Sequence, residues 1–234
     1  MGTGLQINVS LGPEWVKKAM VISHERSGTH FLMNTLADNF RYISMPWINI
    51  DIDNAINTYA PANIVGFLEC MFGKPVLNIV KSHHPVEFFL EILPVLLDHF
   101  WIFYVYRDGD EVMESLAKHL QAETWDMGPK VENGAILART MPSGALLRYQ
   151  KVQYGTMWER WQAHVNGWLN LPHGLRARII YVPFEALRNE LETVVRFIAL
   201  RIGRTAPGVI VRPGKFDRVV TPDIRKDIPH NSTD

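Results

Sequence analysis

Residues 20–40, MVISHERSGTHFLMNTLADNF, carry the pattern on which the fold turns. A short apolar run, Met20 to Ile22, stops at polar residues, turns at Gly28 and resumes with Leu32, Leu36 and Phe40 at helical spacing. This predicts a strand, a tight loop and a helix, with Ser27, Gly28, Thr29 and His30 at the helix mouth. Free backbone N–H groups and the positive end of the helix dipole make such a mouth a place for anions. Gly28 lets the backbone approach the anion, the hydroxyls of Ser27 and Thr29 add donors, and Arg26 adds a fixed positive charge. The loop is suited to a phosphate or sulfate group.

It is not the loop of ATP- and GTP-binding proteins, in which Gly-x4-Gly is followed by Lys and then Ser or Thr. No Lys follows Gly28, and no Gly stands five residues before it. Working outward, short β-rich runs near 19–23, 76–81, 101–106 and 178–182 alternate with helical patterns. The helices are expected near 28–40, 62–72, 86–98, 109–119, 150–170 and 185–202. Runs as apolar as WIFYVY, 101–106, suit strands buried on both faces of a parallel sheet. The expected fold is α/β, a three-layer domain with a central, mainly parallel sheet flanked by helices. In such sheets ligands sit at the carboxyl ends of the strands. Segments 41–61 and 120–149 are poorly periodic and read as lids or binding loops.

At 234 residues the chain fits one such domain, expected to span 1–234. A hydrophobic fraction of 47% and seven Trp suit a packed core. Lys and Arg number 24 against 24 Asp and Glu, so no global field draws in nucleic acid or a membrane surface. An anionic ligand therefore needs locally gathered cations. The single cysteine, Cys70, excludes an internal disulfide and fits a reducing compartment. Residues 1–18 lack a basic start followed by an apolar run, and no stretch reads as a membrane span. A cytoplasmic protein is expected. No cluster with metal-ligand spacing is visible.

The second strand end reads VLNIVKSHHP, 76–85. Lys81 and His83, two apart on an extended segment, point to the same side. Histidine is the side chain best suited to remove a proton near neutral pH. The third strand end reads FYVYRDGDEVMESLAKHL, 103–120, where Arg107 closes the strand and Ser115 lies eight residues on in the next helix. An Arg and a Ser so placed can converge on one anion.

Four tracts in this order resemble the sulfotransferases that use 3′-phosphoadenylyl sulfate (PAPS). Arg26-Ser27-Gly28-Thr29 resembles their phosphosulfate loop. Lys81-Ser82-His83-His84-Pro85 resembles their Lys-Thr-His-x-Pro segment. Arg107-Asp108 with Ser115 resembles their Arg-(Asp/Asn)-Pro tract, with Gly109 for Pro. VIVRPGKFDRVV, 209–220, resembles their final Arg-Lys-Gly loop, with Pro213 for the Lys and Lys215 close by. MWERWQAHVNGWL, 157–169, is similar to a Trp-x-x-His-Val-x-x-Trp helix of small members; Trp161, Val165 and Trp168 read as core and His164 as structural.

The resemblance implies a P-loop-like sulfotransferase fold and sulfuryl transfer from PAPS to a hydroxyl of a small acceptor, with PAP as product and no metal. It implies His83 as the base, Lys81 as neutraliser of the sulfuryl oxygens, and Arg26 with the backbone of Ser27 to His30 around the 5′-phosphate. Arg107, Ser115, Arg212 and Gly214 are implied at the 3′-phosphate. Phe31 stands where a Trp often stacks on adenine, and Phe184 where a Tyr often supports the base. A nucleotide kinase and a non-catalytic nucleotide-binding module are the alternatives. Trp47, Phe67, Phe88, Phe89 and Trp125 are candidates for an apolar acceptor pocket.

Overall fold

The computed structural model describes residues 17–50 and 56–214 of the chain. The readings made on residues 1–16 and on Lys215 lie outside the described residues. Five strands, β1 (Lys18–Ile22), β2 (Ile43–Asn49), β3 (Asn78–Ser82), β4 (Phe100–Tyr106) and β5 (Ile180–Pro183), form one sheet in the order β2-β3-β1-β4-β5. Every pairing is parallel. β1 is central, and its carboxyl end lies between those of β3 and β4. Chain segments that leave these three strands are thus brought together although they are about 25 to 80 residues apart in sequence.

Strand alternation sorts the core into two layers. Met20, Ile22, Ile102 and Tyr104 face a cluster with α2 (Pro61–Glu69), α3 (Leu93–His99) and Trp168. Ala19, Val21, Phe103 and Val105 face the opposite cluster, with α1 (Thr29–Phe40), α8 (Phe184–Asn189) and α9 (Leu191–Arg201). A sheet buried on both faces explains why β1 and β4 read as continuous apolar runs. Each large side chain buried there contributes about 1.5–3 kcal/mol. A third cluster joins α4 (Gly109–Ala122), α5 (Gly134–Arg139), Leu146 and Met157 beyond the sheet. Helix α6 (Met157–Leu169) packs against α4 and α5 and opens with a Thr156–Glu159 capping box, and a short α7 (His173–Arg176) follows.

Several expected boundaries move. The segment read as irregular at 41–61 contains the edge strand β2, obscured by Pro46 and by a register shift between Ile43 and Ile48. Pro is tolerated at an edge because one side of the strand needs no ladder donor. The helix expected over 86–98 is a 3-10 turn, Val86–Phe88, followed by α3, with Pro94 in the first turn of α3. The helix expected over 185–202 is two, broken at Glu190. The segment 120–149 contains α5 and a 3-10 stretch, Gly144–Tyr149. Among the described residues no helix is long and apolar enough to cross a membrane.

Candidate active site

A cleft of about 340 Å³ opens at the carboxyl ends of β3, β1 and β4. Arg26, Gly28, Thr29, His30, Lys81, His83, Arg107 and Ser115 all line it. These residues come from the loop after β1, the end of β3, the end of β4 and helix α4, so strand order assembles them.

The loop after β1 is held in an uncommon shape. Arg26 adopts φ 63° and Gly28 φ 95°, both in the left-handed region. For arginine this conformation carries strain on the order of 1 kcal/mol, which the surrounding contacts must offset. Gly28 caps α1, whose first turn bears no acidic side chain to neutralise its dipole. A Cβ on Gly28 would lie 2.2 Å from Cδ2 of Phe184. Gly28→Ala is therefore expected to lower stability by about 1–3 kcal/mol through strain and crowding. It should also weaken anion binding, read by thermal melts with and without PAP; a variant matching the unsubstituted chain in both would refute this role of the glycine.

His83 is held as a neutral imidazole. Its Nδ1 lies 3.0 Å from the carbonyl oxygen of Ser23. A carbonyl only accepts, so Nδ1 carries the proton and Nε2 keeps the lone pair. Burial, followed by the Lys81 ammonium, holds His83 well below the ordinary histidine pKa, against the opposing pull of Glu25 and the Ser23 carbonyl. The Ser23 hydroxyl also reaches Thr29 Oγ1 at 2.6 Å and joins the end of β1 to the start of α1. Lys81 Nζ stands 5.4 Å from the centre of the Trp47 ring, and the His30 ring packs on the same Trp at 5.3 Å.

Beneath the cleft runs a buried polar network whose pairing the sequence did not announce. Arg160 of α6, 2% exposed, forms a bidentate pair with Glu25 at 2.7 and 3.1 Å. It also donates to Nε2 of His24 at 2.8 Å, while Nδ1–H of His24 donates to the Glu25 carbonyl at 3.0 Å. Burial drives His24 down to about 4, so it stays neutral at physiological pH. Burial alone pushes Glu25 up, but Arg160 and His24 outweigh it and hold the carboxyl well below its usual range. One helical turn on, Nε2–H of His164 donates to the His83 carbonyl at 3.2 Å and Nδ1 accepts from the Tyr104 hydroxyl at 3.0 Å. Helix α6 thereby braces both the loop after β1 and the backbone of His83. The neighbouring His84 is structural: it is buried, bonded to Ser82, and its carbonyl accepts from Trp168.

Other residues singled out in the sequence are placed differently from the simplest reading. Phe31 is fully buried between the sheet and Phe184, so its ring offers no face to an adenine. Ser27 is buried and does not line the cleft. Ser115 Oγ accepts from Nε of Arg26 at 3.1 Å, which ties the two expected anion positions together. Arg212 lies outside the cleft, where its Nη1 donates to the Arg188 carbonyl at 2.9 Å, and Gly214 is exposed. Of the five aromatic pocket candidates only Trp47 lines the cleft. Phe88 and Phe89 are core, Phe67 packs against the core, and Trp125 is 76% exposed. The apolar wall comes instead from Leu116, Leu120, Met127 and Leu146, with Tyr149 edge-on to His83. Leu116 and Leu120 stand four apart on α4, a spacing that places them on one face of that helix.

No family model and no curated protein matches the sequence. Solved structures do. The mouse sulfotransferase SULT7A1 complexed with PAP matches with a TM-score of 0.54 at 16% identity, over 84% of this chain and 60% of that one. Retinol dehydratase in complex with retinol and PAP matches with a TM-score of 0.50 at 19% identity, over 84% and 62%. The same enzyme with androsterone and inactive cofactor PAP gives 0.50, 19%, 84% and 61%. The chain spans about three fifths of the length of these structures. It has the fold of the PAPS-dependent sulfotransferases.

Proposed function

We propose that this protein transfers the sulfuryl group of PAPS to a hydroxyl of a small acceptor, with His83 as general base. The observation that carries the reading is the tautomer of His83: Nδ1–H is bound to Ser23, which leaves Nε2 as acceptor beside Lys81 at an anion loop. A module that only bound nucleotides would have no use for a base in that position.

The donor set fits PAPS. Arg26, Lys81 and Arg107 line one cleft with an acid-free helix start. Among the described residues Glu25 is the one carboxylate lining it, and Arg160 neutralises it from below. When bound, PAPS supplies a sulfuryl group on a stabilised leaving group. The protein's own work is then positioning and charge, as in phosphoryl transfer. His83 Nε2 takes the acceptor hydroxyl proton. Lys81 adds positive charge beside it. Arg26 and the N–H groups at the start of α1 hold a 5′-phosphate, and Arg107 a second phosphate. The wall of Leu116, Leu120, Met127 and Leu146 excludes water and receives an apolar acceptor body. Retinol and androsterone, bound in the second and third solved structures, are apolar molecules that carry a hydroxyl.

Thermal melts test the donor class. A ligand of the folded state at a hundred times its Kd adds about 2.7 kcal/mol, a rise in Tm of roughly 5–10 °C for a chain this size. PAP is expected to give that rise, and ATP with Mg²⁺ much less. A larger shift with ATP and Mg²⁺ would transfer the assignment to a nucleotide kinase. A panel of hydroxyl acceptors with labelled PAPS then identifies the acceptor.

A further inference from the structure

At the edge of the cleft Arg107 is shared between two places. Its Nη1 donates to the Arg26 carbonyl inside the anion loop at 3.3 Å. Its Nε and Nη2 both donate to Oε2 of Glu111, at 2.9 and 2.5 Å. Arg188, on α8, brings Nη1 to the same oxygen at 3.5 Å. The two guanidinium groups stand 4.7 and 5.6 Å from the centre of the Phe184 ring, the ring that abuts Gly28. Arg188 is fixed further by Nε to Asn189 Oδ1 at 3.4 Å and by Arg212 on its carbonyl. No sequence motif pointed to either Glu111 or Arg188.

An i, i+4 Arg–Glu pair on a helix is ordinarily a surface ion pair of small effect. Here the pair has features that such a pair lacks. Three donors from two elements converge on one carboxylate oxygen, as they would on a phosphate oxygen. An aromatic ring orients both cations. One of these cations also reaches into the anion loop. Glu111 occupies the Nε/Nη2 edge of Arg107, the edge with which arginine grips oxyanions in bidentate fashion.

We infer that Arg107 and Arg188 together form a phosphate-monoester subsite, and that the Glu111 carboxylate competes with the incoming phosphate for it. The inference rests on the donor reading above and adds two residues to it. Arg188 is a second guanidinium for the 3′-phosphate. Glu111 is an internal anion that sets the affinity for that phosphate and discriminates against weaker anions. The nearby Asp108 and Glu185 are joined to each other through the Asp108 N–H, 3.0 Å from Glu185 Oε1, and do not touch the two guanidinium groups through any bond among the described residues.

Calorimetric titration at low salt tests this with PAP and with adenosine 5′-phosphosulfate, which lacks the 3′-phosphate. The Glu111 and Arg188 side chains are 40% and 42% exposed, so Glu111→Gln and Arg188→Gln remove no core packing. Glu111→Gln is expected to tighten PAP about tenfold and Arg188→Gln to weaken it about tenfold, the range of one charge-assisted hydrogen bond. Neither should change the phosphosulfate appreciably. If Glu111→Gln weakened PAP or left it unchanged, Glu111 would be an orienting partner of Arg107 and the inference would fall. If Arg188→Gln left PAP unchanged, or changed both ligands equally, the subsite would likewise be refuted while the donor reading stood. If the unsubstituted protein bound neither ligand, the donor reading itself would fail.

Discussion

Replacing His83 with alanine is expected to lower sulfuryl transfer by about 10²- to 10⁴-fold, the usual weight of a positioned general base, and to leave PAP affinity essentially unchanged. On the proposed mechanism the two effects separate, because the base acts on the acceptor proton while the loop after β1 and the arginines hold the nucleotide. His83→Asn is the sharper variant, since an amide can still donate to the Ser23 carbonyl but cannot take a proton. It should be as inactive as the alanine variant and keep the melting temperature of the unsubstituted chain. The pH profile carries a second signature. Burial and Lys81 hold the imidazole well below its ordinary pKa, so Nε2 stays unprotonated at neutral pH and below. The acidic limb of kcat/KM therefore lies under the range of an exposed histidine, near 6.5. An alanine variant with full turnover would remove His83 from the mechanism.

Removing Arg160 costs the fold more than any other single change considered. Arg160→Met takes the bidentate partner from Glu25, which is 8% exposed, and a donor from His24. An unpaired carboxylate left in such a place costs about 3–5 kcal/mol. For a chain of this size Tm falls on the order of 10 °C. The double substitution Glu25→Gln with Arg160→Met removes both charges and is expected to recover a good part of the loss, because the penalty lies in the uncompensated charge. A single variant melting with the unsubstituted chain, or a double variant worse than the sum of its parts, would contradict this account. The same pair explains how a glutamate is accommodated in a loop proposed to hold an anion: Arg160 offsets its charge.

Fold class and most of the site were legible because both depend on local pattern. β1, β4 and α1 declare themselves by hydrophobic period, and Gly28 by the turn that it allows. The strand-end rule then led to Lys81, His83 and Arg107, all of which line the cleft. β2 was missed because Pro46 and the register shift break the alternation that marks a strand. Phe31 read as a stacking platform because its position in the motif speaks for chemistry, yet the helix turns that position into the core. Glu25 and Arg160 were invisible as a pair, since 135 residues separate them and nothing in either tract links the two. Arg188 was hidden in the same way, although α8 brings it to Glu111 of α4.

What the sequence determined by itself is therefore everything with a period or a spacing. It determined a parallel α/β sheet, a glycine turn at a helix mouth, and a histidine and three cations near strand ends. Tertiary structure decided which of those groups share a cleft, which proton His83 carries, and which charges cancel. The physical reason is that periodicity and turn chemistry act over a few residues. Tautomers, buried ion pairs and the occupancy of a guanidinium edge depend on partners that only strand order and helix packing bring within hydrogen-bond distance.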